Sequence, residues 1–296
     1  MRTEYITTES NNQSSKGIDE LSSQEICRII NEEDKKVPEA IEKEIPHIAQ
    51  AIDALAETYQ NGGRIVTIGA GSSGRYGVID GVELIPTFNA DPDRIVGIVC
   101  GGKEAMFRSI EGAEDREELA VEDLKAINFG KKDILIGSAA SGNTPYTTAA
   151  LAYAASLGAR TVAICCNKDS RMSQVAEICI APVAGPEVIS GSTRMKGGTI
   201  EKMVMNMLST GAMIRSGRVF DNYMVYVQPR NKKLVERMKN MLKDILRITD
   251  EETDRLYEES GASVATAIVM YKKKVGREEA LKLLDEAKGN VRSAIQ

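Results

Sequence analysis

Tryptophan is absent from the 296-residue chain, and aromatic residues of all kinds make up only 4% of it. Proteins that bind single-stranded nucleic acid stack bases on aromatic side chains, so this scarcity argues against that class. The net charge of −5 provides no overall positive field for nucleic acid either. No apolar run approaches the roughly 18–20 residues of a membrane helix, and the N-terminus lacks the apolar core of a signal peptide. A cytoplasmic protein that does not bind membranes is therefore predicted.

Histidine occurs only once, at His47, and the five cysteines include no C-x-x-C pair. A zinc site with several histidines and a Ser-His-Asp triad built on His47 are both poor fits to this composition. The cysteines are expected to be buried, reduced thiols that serve as small apolar side chains. The sequence therefore predicts neither a metal nor a cofactor.

What the chain does have is a glycine- and serine-rich loop after an apolar run. Arg64–Ile68 is rich in β-branched residues and predicts a buried strand. Gly69–Gly74 reads Gly-Ala-Gly-Ser-Ser-Gly, and a helix is expected to begin near Arg75 and to end at Pro86. The hydroxyls of Ser72 and Ser73 and the free N–H groups of that helix suit a phosphate dianion.

Four further apolar runs alternate with helical patterns, at 95–100, 133–137, 160–165 and 177–182. Near-continuous apolar runs of this kind are typical of parallel strands that are covered on both faces. The fold class predicted is α/β, a doubly wound and mostly parallel sheet. Ligands of such sheets bind beyond the carboxyl ends of the strands.

The rest of the chain is predicted to be helical. Residues 1 to about 20 are polar and are expected to form a flexible arm. One helix is expected from 38 to 59, with Pro46 inside it at a position where a proline can kink the helix. A repeat with an offset of 27 residues near the C-terminus predicts two helical hairpins. The predicted regions are 1–54 (arm and helices), 55–218 (sheet domain) and 219–296 (two-hairpin, UBA-like helical region).

A second loop rich in hydroxyl groups follows the third predicted strand. Ser141, Gly142, Asn143 and Thr144 precede Pro145, with Thr144 suited to cap a helix and Pro145 to begin it. Two such loops after strands of one sheet point to a phosphate or sugar-phosphate site.

A third loop leads into a long helix predicted at 194–215, and it also carries polar groups that could bind a ligand or only cap the helix. These are Glu187, Ser190, Ser192 and Lys196.

A dinucleotide site is the main alternative, because Gly69, Gly71 and Gly74 fit the G-x-G-x-x-G pattern. That pattern also requires an acidic residue just after the second strand. Here the second strand is followed by two glycines and Lys103 before any acid, so we disfavour NAD binding.

Two carboxylates stand out by their context. Glu83 has apolar neighbours, and partial burial would favour a protonated carboxyl group that can donate its proton. Glu114 lies between two helical segments after the second strand. In a bound sugar phosphate, one carboxylate could move a proton on carbon while the other serves an oxygen.

Motifs along nearly the whole chain resemble those of the N-acetylmuramic acid 6-phosphate etherase family. They are Thr8–Ser10, Asn31–Pro38, Gly69–Arg75, Glu83–Phe88, Glu111–Asp115, Ala140–Tyr146, Gly185–Val188 and Gly191–Lys196. The resemblance implies a sugar-isomerase (SIS) fold, usually homodimeric. It also implies cleavage of the lactyl ether of N-acetylmuramic acid 6-phosphate, in which Glu83 protonates lactate and Glu114 serves C2 proton transfer or ring opening.

The sequence departs from the family pattern at a few positions. Asn11 and Asn143 stand where the family usually has arginine, and Gly81–Pro86 differs from its usual Ala-Ala-Glu-Cys-Pro-Pro. Both carboxylates are retained. The absence of these two arginines bears on the binding of the phosphate or sugar more than on the chemical steps. Two alternatives stay open: a non-catalytic sugar-phosphate sensor similar to glucokinase regulatory protein, and a phosphosugar isomerase.

Overall fold

The computed structural model describes residues 7–296, and a five-stranded parallel sheet forms its centre. The strands lie in the order β2-β1-β3-β4-β5. Their bounds are Ile65–Gly69 (β1), Ile95–Val99 (β2), Ile134–Ser138 (β3), Arg160–Ile164 (β4) and Ile178–Ile180 (β5). All five predicted strands are confirmed to within about two residues. β1 and β3 are buried at every position, as expected for strands covered on both faces.

Helices precede, connect and follow these strands along the chain. Those described are Ser23–Asp34 (α1), Lys36–Glu42 (α2), Ile45–Gln60 (α3), Gly71–Phe88 (α4), Glu117–Ala126 (α5), Pro145–Ser156 (α6), Arg171–Val175 (α7), Lys196–Arg215 (α8), Lys232–Leu246 (α9), Asp250–Glu259 (α10), Val264–Lys273 (α11), Arg277–Glu286 (α12) and Val291–Ala294 (α13). Within residues 7–296, no helix is both long and apolar enough to span a bilayer.

The helices cover both faces of the sheet. Side chains of α5 and α6 pack in one apolar core with Val66, Ile68 and Leu135, which share a face of the sheet. On the opposite face, Gly77 of α4 lies so close to Thr67 that an added Cβ would be 2.5 Å from its hydroxyl. The predicted doubly wound α/β class is therefore confirmed.

The chain forms two compact units. The sheet unit comprises the described residues up to Gly81 together with Asp93–Ser209, and the helical unit comprises Val82–Pro92 and Thr210–Gln296. In the helical unit, α9 to α13 surround a separate apolar core. The two predicted hairpins are present there, as α10 with α11 and α12 with α13. The three-region division at residues 54 and 218 stays a prediction.

Two helix predictions were wrong, both at a proline. The single helix expected over 38–59 is interrupted, because Pro46 lies in the first turn of α3, where its missing N–H costs no hydrogen bond. Pro86, in contrast, lies inside α4 and does not end it. The Thr87 hydroxyl donates to the Glu83 carbonyl oxygen at 2.8 Å there.

The flexible arm expected at the N-terminus is also wrong for the part that the structure describes. Residues 7–20 form three short 3₁₀ turns, at Thr7–Glu9, Gln13–Ser15 and Ile18–Glu20. The Asn12 amide donates to the Pro186 carbonyl oxygen at 3.0 Å, and Ser15 donates to that of Val188 at 2.7 Å. Long-range hydrogen bonds thus fix a segment whose composition alone indicated disorder. The first six residues of that predicted arm lie outside the described residues.

Candidate functional site

The two serine-containing loops leave the sheet side by side. β1 and β3 are neighbours, and Gly69 at the end of β1 pairs with Ser138 at the end of β3. A Cβ at Gly69 would lie 2.7 Å from the carbonyl oxygen of Ser138 and 2.8 Å from the backbone nitrogen of Gly74, so only glycine fits between the loops. The two loops therefore lie close together, as a shared phosphate site requires.

The first loop is shorter than predicted, because α4 begins within it at Gly71 and not near Arg75. The N–H of Gly74 already bonds the carbonyl oxygen of Ala70 at 3.4 Å, which closes the first turn early. Ser72 and Ser73 are consequently part of that first turn, and both are partly buried. Their hydroxyls lie at the positive end of the α4 dipole, a position that favours an anion.

Asn167 holds the second loop in place. Its side-chain amide donates to the carbonyl oxygens of Ala140 at 3.3 Å and Ser141 at 3.1 Å. Its side-chain oxygen accepts the backbone N–H of Thr7 at 2.9 Å. One buried amide therefore joins the second serine loop to the N-terminal segment.

Residues within the second loop also stabilise its shape. Gly142 has a φ of +69°, and an added Cβ would lie 2.5 Å from the Cβ of Ser170. The Asn143 side chain accepts the N–H of Arg171 at 3.0 Å and donates to the carbonyl oxygen of Ser141 at 3.1 Å. Thr144 is the N-cap residue of α6, but contrary to expectation its hydroxyl makes no capping hydrogen bond.

A cavity of about 200 Å³ lies beside the first loop, and Gly71, Arg75 and Glu114 are among the residues that line it. Arg75 connects parts of the cavity lining, because its guanidinium donates to the carbonyl oxygens of Ala105 and Arg108, each at 2.9 Å. Glu114 is exposed in a 3₁₀ turn, Ala113–Asp115. The carboxylate therefore shares a cavity with the start of α4.

Glu83 lies on α4, ten residues after Ser73, within the helical unit. Its side chain is exposed, so the partial burial expected from its apolar neighbours is not observed. The apolar side chain of Val82 is exposed as well (57%), whereas Leu84 is buried. The assignment of Glu83 as proton donor stays a prediction that rests on the family resemblance.

The third loop is organised around two buried charged residues. The Lys196 ammonium is 2.6 Å from a Glu33 carboxylate oxygen and 3.1 Å from the Ala184 carbonyl oxygen, and only 2% of its side-chain surface is exposed. Burial would raise the pKa of Glu33, but hydrogen bonds from Lys196, Lys36 and Asn12 lower it to about 2. This ion pair fixes the start of α8.

Glu187 has a similar internal role, since its carboxylate accepts the N–H groups of Lys196 and Gly197 at 3.0 and 2.8 Å. Glu187 therefore caps α8. Capping of this helix is the alternative to ligand binding that the sequence left open for the third loop. Ser190 is exposed and Ser192 is partly buried. Ligand contact by these residues and Lys196 stays a prediction.

Sequence reasoning missed Glu201, which lies in the second turn of α8 and contacts the first serine loop and the end of β3. Its carboxylate accepts hydrogen bonds from Ser138 at 3.0 Å and from Ser73. It is only 1% exposed, and this burial raises its pKa to about 7. No motif indicated Glu201 or Asn167, because their partners are distant in the sequence.

Comparisons of the fold identify the class of protein. Residues 116–210 match the SIS domain, and residues 47–155 match the N-terminal SIS domain of glucokinase regulatory protein. A phosphoheptose isomerase from Neisseria gonorrhoeae aligns with 64% of this chain and 97% of its own at 13% identity and a TM-score of 0.50. A Bacteroides fragilis protein described as a phosphosugar isomerase aligns with 71% and 98% at 19% identity and a TM-score of 0.51. The chain has the SIS fold.

Sequence relatives narrow this class to one family. Proteins named N-acetylmuramic acid 6-phosphate etherase are 48% identical to this chain in Clostridium botulinum (strain Langeland), Enterococcus faecalis (strain V583) and Photobacterium profundum. Each alignment covers 98% of this chain and 96–97% of the relative. The chain belongs to the N-acetylmuramic acid 6-phosphate etherase family.

Proposed function

We propose that this protein cleaves the D-lactyl ether of N-acetylmuramic acid 6-phosphate, giving N-acetylglucosamine 6-phosphate and D-lactate, as a step in recycling cell-wall sugars. The observation that carries the proposal is the pairing of Gly69 with Ser138, because two loops rich in hydroxyl groups leave the sheet from these neighbouring strand ends. The start of the first loop also lines the cavity that contains Glu114. Near full-length similarity to named etherases supports the choice of substrate.

The serine loops hold the 6-phosphate in this proposal. The hydroxyls of Ser72, Ser73, Ser141 and Thr144 donate to it, and the first N–H groups of α4 and α6 add donors at positive dipole ends. The second loop contributes the backbone of Gly142, whose neighbour Asn143 shapes the loop.

The chemistry is an elimination followed by a hydration. Ring opening exposes an aldehyde at C1, which acidifies the C2 proton. A base removes that proton, the C3–O bond breaks with its electron pair on the lactate oxygen, and Glu83 protonates that oxygen. Water then adds at C3 of the unsaturated aldehyde, and a proton returns to C2. Glu114 serves the C2 proton transfer or the ring opening. No step requires a metal or a redox cofactor.

A homodimer is part of this proposal. Two helices each expose large apolar side chains, Ile79 and Val82 on α4 and Met207 and Ile214 on α8, with 38–57% of their surface accessible. Covering such side chains is the usual reason for subunit association. Light scattering on the purified protein tests this, and a monomer at all concentrations would contradict it. A cytoplasmic location likewise stays a prediction.

A single assay separates the proposed lyase from its two rivals. The protein is incubated with N-acetylmuramic acid 6-phosphate, and D-lactate is measured by a coupled dehydrogenase. Release of lactate supports the lyase. Aldose–ketose interconversion of a sugar phosphate without lactate supports an isomerase, and ligand binding without any turnover supports a sensor similar to glucokinase regulatory protein, whose SIS domain matches residues 47–155.

A further inference from the structure

Glu201 is a buried carboxylate that the proposed chemistry does not use. It is 1% exposed and accepts hydrogen bonds from Ser73 at the start of α4 and from Ser138 at the end of β3. It therefore links the first serine loop to the strand end from which the second loop departs. A carboxylate that is buried and engaged in this way acts on function through the residues that it bonds.

The protonation state of Glu201 decides what the Ser73 hydroxyl can do. A hydroxyl has one proton to donate, whereas an ionised carboxylate only accepts hydrogen bonds. While Glu201 is ionised, the Ser73 proton is engaged by the carboxylate. A protonated Glu201 can instead donate to the Ser73 oxygen, and the Ser73 proton is then available to a phosphate oxygen.

The charge of Glu201 also matters for an anion in the loops above it. A buried carboxylate and a phosphate dianion repel each other, and the low dielectric of the interior strengthens this repulsion. Uptake of one proton from solvent removes the negative charge. The hydrogen bonding and the electrostatics therefore both favour protonation when the dianion binds.

We propose that Glu201 is a positioning residue that takes up a proton when the phosphate of the substrate binds, and thereby turns the Ser73 hydroxyl toward the ligand. The proposal rests on the phosphate-binding role of the serine loops put forward above. Its pKa of about 7, raised by burial, allows the proton to be gained and lost near neutral pH.

Other ionisable groups near Glu201 lie just after β4 and in the loop before α8. The Cys166 thiol has its pKa raised by burial and stays neutral, and Glu187 is engaged by the backbone at the start of α8. Cys165 shares a hydrogen bond with Cys179 at 4.0 Å, which lowers the pKa of Cys165 to about 7. Cys165 is retained when Glu201 is replaced. Proton uptake that disappears in a Glu201 variant therefore belongs to Glu201 and not to Cys165.

The test is calorimetric binding of N-acetylglucosamine 6-phosphate, and of inorganic phosphate, at about pH 8 in two buffers of different ionisation enthalpy. The sugar phosphate is then already a dianion, because its second pKa is about 6. Wild-type protein should take up close to one proton per ligand. Its dissociation constant should rise about eightfold between pH 6.5 and 8, as linkage to a group with a pKa of about 7 requires.

Glu201→Gln supplies a permanent side-chain donor and mimics the protonated state. It should bind without proton uptake and with a dissociation constant that no longer depends on pH in this range. Asp80→Asn is the matched control, because Asp80 is a carboxylate with a pKa raised by burial that accepts bonds from Asn206 and Ser209 and from neither serine loop. It should keep the wild-type proton uptake.

Two outcomes overturn the proposal, and they differ in what else they affect. Binding by wild-type protein without proton uptake, or an unchanged pH dependence in Glu201→Gln, excludes a proton-linked role for Glu201 and leaves the phosphate site intact. Failure of both ligands to bind at any pH removes the phosphate site itself, and with it this role. The wild-type measurement needs no variant, so a folding defect in Glu201→Gln would not prevent the decision.

Discussion

Replacing Lys196 by methionine should destabilise the protein strongly. The variant leaves the Glu33 carboxylate, whose side chain is 4% exposed, without the ammonium that lies 2.6 Å away. Breaking a buried ion pair by removing one partner typically costs about 3–5 kcal/mol. The lowering of the Glu33 pKa from 4.5 to about 2 gives a similar figure, about 3 kcal/mol, for the interactions that favour the ionised form.

The pH dependence of this effect has a definite sign. A lowered carboxylate pKa contributes stability that is present above pH 4.5 and is lost as the pH falls toward 2. The difference between wild type and Lys196→Met should therefore be largest near neutral pH. It should shrink toward about pH 3, because a protonated Glu33 in the variant needs no cation.

Urea denaturation followed by circular dichroism measures this difference. The matched control is Lys35→Met, since Lys35 pairs with Glu32 at 2.5 Å but both side chains are about 60% exposed or more. The control should change the unfolding free energy by no more than about 1 kcal/mol. A loss below about 1 kcal/mol in Lys196→Met would refute the structural role of Lys196, and a normal stability with a raised KM would favour ligand binding.

Three further changes have expected outcomes. Gly142→Ala should lower the unfolding free energy by about 1–3 kcal/mol, because φ is +69° and the new Cβ meets Ser170; an unchanged Tm in calorimetry would contradict this. Wild-type stability should fall by up to about 3 kcal/mol from pH 4.5 to 7 as buried Glu201, whose pKa is raised to about 7, ionises. In Glu201→Gln, urea titrations at pH 5 and 8 should lack this contribution to the fall in unfolding free energy. An equal fall in the variant and in wild type would contradict the assignment to Glu201. Asp133→Asn should cost about 1–3 kcal/mol near neutral pH by breaking the 2.7 Å pair with Arg64, and equal denaturation midpoints would refute that.

The parts of the fold that could be predicted are those that local patterns determine. Each strand is a short apolar run between turn residues, and near-continuous apolar runs of this kind indicate a parallel sheet covered on both faces. The capping box at Ser22 and Glu25 is a local pattern of the same kind, because its two partners are only three residues apart. The same holds for the 27-residue repeat that forms the hairpins.

What could not be predicted depends on contacts between distant residues. The N-terminal segment looked disordered by composition, yet Asn12 and Ser15 bond the loop at 186–188. The burial of Lys196 depends on Glu33, 163 residues earlier, so its sequence context could not separate a ligand-binding cation from an internal one. Glu201 carries no motif for the same reason, because its partners come from two separate strand–loop junctions.

Release of D-lactate from N-acetylmuramic acid 6-phosphate in deuterated water, by wild type and Glu83→Gln, tests the proposed function most directly. Wild type should release one D-lactate per sugar and leave deuterium at C2 of the N-acetylglucosamine 6-phosphate formed. Glu83→Gln should be slower by about 10²–10⁴-fold, the contribution typical of a positioned acid, while Glu117→Gln, an exposed carboxylate at the start of α5, should match wild type. Absence of lactate, product without deuterium at C2, or a near wild-type rate in Glu83→Gln would contradict the proposed elimination.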